Sequence, residues 1–205
     1  MRRWGLVLAV TAVVVVIGAA VGAALLLRGG ISARPEPSPA EASIARTLRS
    51  WAIPSSAREL ANPIPESPGA LAEGRAHFAD HCASCHANDG SGDTQLGRRL
   101  YPRAPDMRRP ATQRLTDGEL FYIIENGVRL TGMPAWGGVG DPEASWHLVH
   151  FIRHLPNLTA KERVEMEGLN PKSPDEWRAL QEDSKFLQGD PVPSDGTSGH
   201  GAHPP

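Results

Sequence analysis

The longest uniform pattern in the chain is an apolar run near its start. From Leu6 to Leu27, 22 successive residues carry no charge. As an α-helix this run is about 33 Å long, enough to cross the hydrocarbon core of a bilayer. A cleaved signal peptide has a shorter apolar region of about 7–15 residues, yet the small residues from Ala19 to Ala24 keep that alternative open. The run predicts an uncleaved transmembrane anchor at residues 6–27.

Cations flank this run on both sides. Arg2 and Arg3 precede it and Arg28 follows it. Because positive residues favour the cytoplasmic side of a span, we predict a cytoplasmic N-terminus at residues 1–5. The rest of the chain would then lie on the periplasmic side of the cytoplasmic membrane.

Residues 28–67 are rich in proline and lack a sustained apolar period, although a short helix between Ile44 and Leu60 is possible. The prolines are Pro35, Pro37, Pro39, Pro54, Pro63 and Pro65. Proline-rich sequence is semi-extended, so this segment is predicted to be a tether that holds a domain away from the membrane.

Helical periodicity begins after the tether. Ser67-Pro68 predicts the start of a first helix, the capping box Thr116 to Glu119 a second, and Asp141-Pro142 a third. The apolar faces hold Leu71, Gly74, Phe78 and Cys82, then Leu120, Ile123 and Ile124, then Trp146, Leu148, Val149, Phe151, Ile152 and Leu155. Since no alternating strand pattern interrupts them, residues 68–156 are predicted to form an all-α domain.

The strongest chemical motif runs from Cys82 through Cys85 to His86. In a c-type site two thiols bond covalently to the haem vinyl groups, and the histidine after the second cysteine ligates iron. A redox dithiol would need a βαβ setting, and a zinc site would need further ligands, but the chain has no third cysteine. The motif predicts haem c with His86 as proximal ligand.

The sixth iron ligand is sought among the methionines. Met133 lies between Gly132 and Pro134, in a loop between the second and third helices. Glycine permits close backbone approach, and proline stiffens the loop that presents the thioether. We therefore predict Met133, rather than Met107, as distal ligand, so that His86 and Met133 bind the haem iron.

These two motifs resemble those of class I mono-haem cytochromes c, and in particular of small bacterial membrane-anchored forms. The resemblance covers roughly residues 68–156. It implies the cytochrome c fold, in which N- and C-terminal helices cross around one covalently bound haem.

The resemblance also implies particular contacts. Gly74 and Phe78 would lie where the first helix crosses the last, opposite Trp146 and Phe151. A proline carbonyl would accept a hydrogen bond from the proximal histidine, for which the candidates are Pro102 and Pro105.

Other polar clusters have ordinary explanations as well as functional ones. His77 and His81 are expected at the surface, as are His147, His150 and His154, for which a weak metal patch is the alternative. A run of arginines follows the haem motif, for which pairing with haem propionates or with an acidic partner is the alternative to a solvated surface. These are Arg98, Arg99, Arg103, Arg108, Arg109 and Arg114. The segment Asp89 to Asp93 is expected to be a turn.

Two capping boxes follow the haem domain, at Thr159 and Ser173, and predict short helices within residues 157–188. Residues 189–205 are rich in Gly, Pro and Ser and are predicted to be disordered. For His200 and His203 in this tail, chance composition is the ordinary explanation and weak binding of copper or another metal is the alternative.

Composition narrows the function. Apart from Arg2, Arg3 and Arg28, 18 cations face 23 anions, so the chain lacks the basic footprint of a nucleic-acid binder. With both cysteines assigned to haem, no disulfide remains. The sequence predicts a non-enzymatic, membrane-tethered carrier of single electrons between redox proteins such as a membrane dehydrogenase, a cytochrome complex or an oxidase. The alternatives are a haem subunit of a respiratory or dehydrogenase complex, or a haem enzyme or gas sensor with labile methionine ligation.

Overall fold

The computed structural model describes residues 2–28, 32–138 and 141–188. Within these ranges it contains helices and no strand, so the prediction of an all-α protein is confirmed. The helices are α1 (Arg2–Arg28), α2 (Pro39–Ala52), α3 (Ser55–Arg58), α4 (Pro68–His77), α5 (Ala83–His86), α6 (Pro110–Gln113), α7 (Asp117–Asn126), α8 (Pro142–His154), α9 (Ala160–Leu169) and α10 (Pro174–Gln188). A π-helical turn at Phe78–Cys82 joins α4 to α5, and 3₁₀ turns lie at Gly97–Arg99 and Leu155–Asn157.

Helix α1 contains the apolar run. Its segment Arg3–Ala24 has 22 residues, a mean hydropathy of 2.7 and no buried share. A helix of this length and composition is able to cross a membrane, and its surface has no packing partner among the described residues. The run that predicts a membrane anchor is therefore one continuous helix that could span a membrane.

The core of the domain is built where α4 crosses α8. A Cβ at Gly74 would lie 2.1 Å from the His147 carbonyl oxygen and 3.1 Å from the Phe151 Cβ, so only glycine allows this approach. One turn further on, the Phe78 and Phe151 rings lie 5.1 Å apart, and both side chains are fully buried. The crossing that the resemblance implied is confirmed for these residues, whereas Trp146 stacks on Phe121 of α7 at 4.0 Å.

The helix ends follow the predicted caps. The Ser67 hydroxyl accepts a hydrogen bond from the Ala70 backbone N–H at the start of α4. Capping boxes open α7 at Thr116 and α9 at Thr159. Gly127, with φ 64°, ends α7. These local signals therefore fix where the helices begin and end.

The second half of the proline-rich segment packs on the domain, which its composition did not indicate. Ile53 and Ala57 are buried. The Asn62 side-chain amide donates to the Trp146 carbonyl over 3.0 Å, and Thr116 Oγ1 donates to the Arg58 carbonyl over 3.0 Å. The tether predicted over residues 28–67 therefore includes the helices α2 and α3, and from Ile53 onward it is held on the domain by hydrogen bonds and apolar contacts.

Helix α9 also packs on the domain. Its Met166 side chain is fully buried. Glu165 pairs with Arg75 of α4 over 3.0 Å, and Glu162 contacts His154 of α8 over 2.9 Å. The predicted tail at residues 189–205, with His200 and His203, lies outside the described residues.

Candidate haem site

The Cys-x-x-Cys-His motif lies on the π-helical turn and α5, where the α4 direction changes. Cys82 and Cys85 are free and partly buried, and His86 is buried. Burial, together with the neighbouring Cys85, raises the pKa of the Cys82 thiol to about 12. Because reactive redox cysteines have lowered thiol pKa values, this environment disfavours the dithiol alternative.

The His86 imidazole faces the segment that contains Pro105. Burial lowers the pKa of His86, and the nearby Pro105 carbonyl opposes that shift. This carbonyl does not reach full hydrogen-bond geometry, so Nδ1 is buried without a partner among the described residues. Of the two prolines that the resemblance named, Pro105 is the one beside the ring. A buried neutral imidazole is the form that binds metal.

A loop after the motif holds His86 and α5 in place. Thr94 Oγ1 donates to the Ser84 carbonyl over 2.8 Å and accepts from the Gly97 backbone N–H over 2.8 Å. The Gly92 N–H donates to the His86 carbonyl over 2.8 Å. Sequence reasoning missed Thr94, because its role depends on how the loop folds back rather than on a local pattern.

The Met133 loop is fixed by backbone contacts with the end of α7. The Met133 carbonyl accepts from the Val128 N–H over 3.1 Å, and the Met133 N–H donates to Thr131 Oγ1 over 3.1 Å. The Trp136 N–H donates to the Ile124 carbonyl over 3.1 Å. Loop and helix end are therefore one unit, and Met133 is presented from a defined backbone.

Both motifs face one cavity of about 390 Å³. Cys82, Cys85, His86 and Met133 all line it. The rest of the wall is largely apolar and includes Leu100, Met107, Leu115, Leu120, Ile123, Ile124, Val128 and Ile152. Two thiols can form the thioether bonds of haem c, and an imidazole and a thioether can bind its iron, so the residues around this apolar cavity fit the group.

The other histidines have structural contacts. His77 stacks on His81 at 4.6 Å, and His81 lies at the cavity wall with its ring 5.3 Å from Trp136. The expectation that both are exposed is corrected, since each is partly buried. His150 Nε2 lies 2.8 Å from the Ile64 carbonyl oxygen. No group of three His, Cys, Asp or Glu residues suited to a metal ion occurs in the described part of the chain.

The arginine-rich loop is largely paired within the chain. Arg108 contacts Asp106 over 2.8 Å and Asp89 over 2.9 Å, and Arg109 contacts Asp106 over 3.3 Å. Arg98 pairs with Asp93, and Arg103 pairs with Glu36 over 2.7 Å. Four of the six predicted cations are therefore neutralised by nearby carboxylates, which weakens the idea of a basic docking patch.

The helical fold and this cavity resemble those of c-type cytochromes, and comparison with known proteins agrees with that resemblance. Residues 69–152 match the family described as cytochrome c oxidase, cbb3-type, subunit III. More particularly, the chain is similar to two curated proteins, "Cbb3-type cytochrome c oxidase subunit FixPc" of Rhizobium leguminosarum bv. viciae and "Cbb3-type cytochrome c oxidase subunit FixP" of Sinorhizobium medicae (strain WSM419). It is 33% identical to each over 93 residues, or 44% of this chain. The match covers only 30% and 29% of those two proteins.

Proposed function

We propose that this protein is a membrane-tethered electron carrier that holds one haem c. Cys82 and Cys85 would form the two thioether bonds, and His86 and Met133 would be the axial ligands. The observation that carries this proposal is that all four side chains line one apolar cavity. When bound, haem c supplies a one-electron change at its iron.

The polypeptide has a positioning role in this function. The hydrogen bonds of Thr94 hold the proximal side, and the backbone contacts between the Met133 loop and α7 hold the distal side. The apolar wall excludes water, so the iron would keep its ligands in both oxidation states. No side chain needs to act as acid, base or nucleophile, and we propose that the protein is not an enzyme.

The proposed ligand set is tested by Met133→Ala. We expect the reduced wild-type protein to give a low-spin c-type spectrum, and the oxidised protein to show a methionine–iron charge-transfer band that Met133→Ala abolishes. Met107→Leu is the matched control, because Met107 also lines the cavity. Survival of the band in Met133→Ala, or its loss in Met107→Leu, would refute the assignment. Rapid carbon monoxide binding by the intact reduced protein would favour the sensor or enzyme alternative instead.

We further propose that the electron partners are membrane-associated redox complexes on the extracytoplasmic side, such as a dehydrogenase or cytochrome complex as donor and an oxidase as acceptor. The names of the similar proteins, both oxidase subunits, also support a second candidate, a fixed haem subunit of such an oxidase.

The two candidates differ in how firmly the protein associates. After mild detergent extraction of native membranes, a fixed subunit co-purifies with an oxidase in constant ratio through affinity and size-exclusion steps. A free carrier elutes alone and is still reduced by membranes that are supplied with respiratory substrate. We expect the second result, and a constant ratio would contradict it.

A further inference from the structure

Helix α2 forms one side of the cavity, although it lies outside the matched domain at residues 69–152. Ala42, Ala45, Arg46 and Arg49 all line the cavity. Their spacing of three and four places them on one face of a helix. The wall of the proposed haem site is therefore completed by a helix of the segment that joins the domain to the membrane anchor.

Two polar contacts and one apolar contact hold α2 in this position. The Tyr101 hydroxyl donates a hydrogen bond to Glu41. Arg103 pairs with Glu36, just before α2, over 2.7 Å. Ile53, directly after the helix, is 4% exposed. Both polar contacts join the segment to the loop that carries Pro105, so they place α2 beside the proximal side of the cavity.

The two arginines of α2 form no ion pair in the described part of the chain. Neither guanidinium takes part in a salt bridge or side-chain hydrogen bond there. Burial lowers the pKa of Arg49, Glu119 opposes this shift, and Arg46 adds to it, so the two cations are close enough to repel each other. Glu119 is already engaged, because it accepts from the Thr116 N–H over 2.8 Å and contacts Arg58 over 3.4 Å.

This arrangement differs from that of the third arginine on the cavity wall. Arg103 has Glu36 as partner, whereas Arg46 and Arg49 bring two charges to the edge of an apolar cavity without an ion pair among the described residues. Arg49 is partly buried and Arg46 is exposed. A partly buried cation is normally paired, because desolvation without a partner is unfavourable. An apolar cavity with two cations at its edge suits a ligand with an apolar body and about two negative charges at one edge.

Haem has this shape, with an apolar macrocycle and two propionate carboxylates on the same edge. Guanidinium groups bind carboxylates through paired, charge-assisted hydrogen bonds. We propose that Arg46 and Arg49 bind the haem propionates, so that α2 belongs to the haem site. This inference rests on the proposed function, since it requires haem c in this cavity.

The expected consequence is electrostatic. Reduction removes one positive charge from the iron, so nearby cations favour the reduced state. In the haem-loaded, full-length protein, replacing both arginines in R46Q/R49Q should decrease the equilibrium constant for reduction about tenfold, which is about 59 mV for a one-electron couple. Each single variant should decrease the equilibrium constant for reduction roughly threefold, which is about half of the potential shift expected for the double variant.

The experiment is spectroelectrochemical titration of the purified proteins, with the methionine–iron band recorded for each. R46K/R49K retains both charges and should stay close to the wild-type potential. Arg163→Gln is the matched control for lost charge, because Arg163 is an exposed arginine of α9 that does not line the cavity. In R163Q the equilibrium constant for reduction should change less than twofold.

The outcomes separate the two proposals. If the wild-type protein lacks a c-type spectrum, the proposed haem site is wrong. If the spectrum is present but the reduction potential of R46Q/R49Q shifts no more than that of R163Q, the propionate assignment is overturned. The same holds if the double variant changes only the rate of reaction with an acidic redox partner. Should the double variant not accumulate, Arg46→Gln decides alone, since the Arg46 side chain is exposed and its loss removes no packing.

Discussion

At the residue scale, one glycine determines how closely two helices approach. Gly74 allows the α4 backbone to contact the His147 carbonyl of α8, and this contact brings Phe78 against Phe151. Since the cysteines follow Phe78 within the same helical segment, the position of the haem-binding motif depends on this crossing. The absence of a side chain is here a packing requirement rather than a source of flexibility.

We predict that Gly74→Ala lowers the free energy of unfolding by about 1–3 kcal/mol, the usual cost of overpacking. The reason is that the added Cβ would lie 2.1 Å from a backbone oxygen, which cannot move aside as a side chain would. Thermal and urea unfolding followed by circular dichroism measure the effect. Gly69→Ala is the control, because its Cβ would meet nothing nearer than Ser67 Oγ at 3.8 Å. Equal effects of the two substitutions would argue against the crossing.

At the element scale, one carboxylate of α9 both caps the helix and contacts the domain. Glu162 completes the capping box with Thr159 and also contacts His154 of α8 over 2.9 Å and Arg75 of α4 over 3.5 Å. Burial alone would raise the pKa of Glu162. The hydrogen bonds from Thr159, together with His154, reverse this and lower the pKa to about 2, from an ordinary value of 4.5.

This lowered pKa gives a signed prediction. The stabilisation is fully present above the unfolded-state pKa, near 4.5, and is lost as pH falls from there towards 2. Glu162→Gln should therefore lower the free energy of unfolding by about 1–2 kcal/mol at pH 7 and by progressively less down to pH 3. Urea unfolding at pH 7, 5 and 3 provides the measurement. Glu167 is an exposed carboxylate on the same helix, so Glu167→Gln should change the free energy of unfolding little at any of these pH values. A loss of stability in Glu162→Gln that does not depend on pH would contradict the mechanism.

Sequence reasoning succeeds for elements with local signals. The caps at Ser67, Thr116 and Thr159 depend on residues three positions apart, so the starts of α4, α7 and α9 were predictable. The placement of α2 was not, because Tyr101 and Glu41 are 60 residues apart in the chain. No local pattern in a proline-rich segment indicates which surface it will cover.

The same distinction applies to the site. The spacing of Cys82, Cys85 and His86 predicts a cofactor by itself, and the glycine and proline beside Met133 mark a loop able to present a ligand. The pairing of Arg103 could not be predicted, because its partner Glu36 lies 67 residues away in sequence. The other two arginines on the cavity wall, Arg46 and Arg49, belong to a segment whose composition predicts only a tether.

At the scale of the whole molecule, one apolar helix precedes the domain that contains the proposed haem site. We predict that this domain lies outside the cytoplasm, since the cations near Arg3 agree with that orientation. A C-terminal alkaline phosphatase fusion, which is active only when exported, should be active and remain with the membrane fraction after a carbonate wash. A cytoplasmic reporter such as β-galactosidase, fused at the same point, should be inactive. The reverse pattern would overturn the orientation, and release by the wash would indicate a cleaved signal peptide.

The docking of α2 also limits how far the redox domain can move from the membrane. With α2 fixed on the domain, only residues 29–38 separate it from the end of α1. Ten residues span at most about 33–36 Å when fully extended. Confinement within such a short radius gives the domain a high effective concentration toward partners in the same membrane. Electron exchange would then be governed by lateral encounter within the bilayer plane rather than by collision with proteins that diffuse freely in the surrounding compartment.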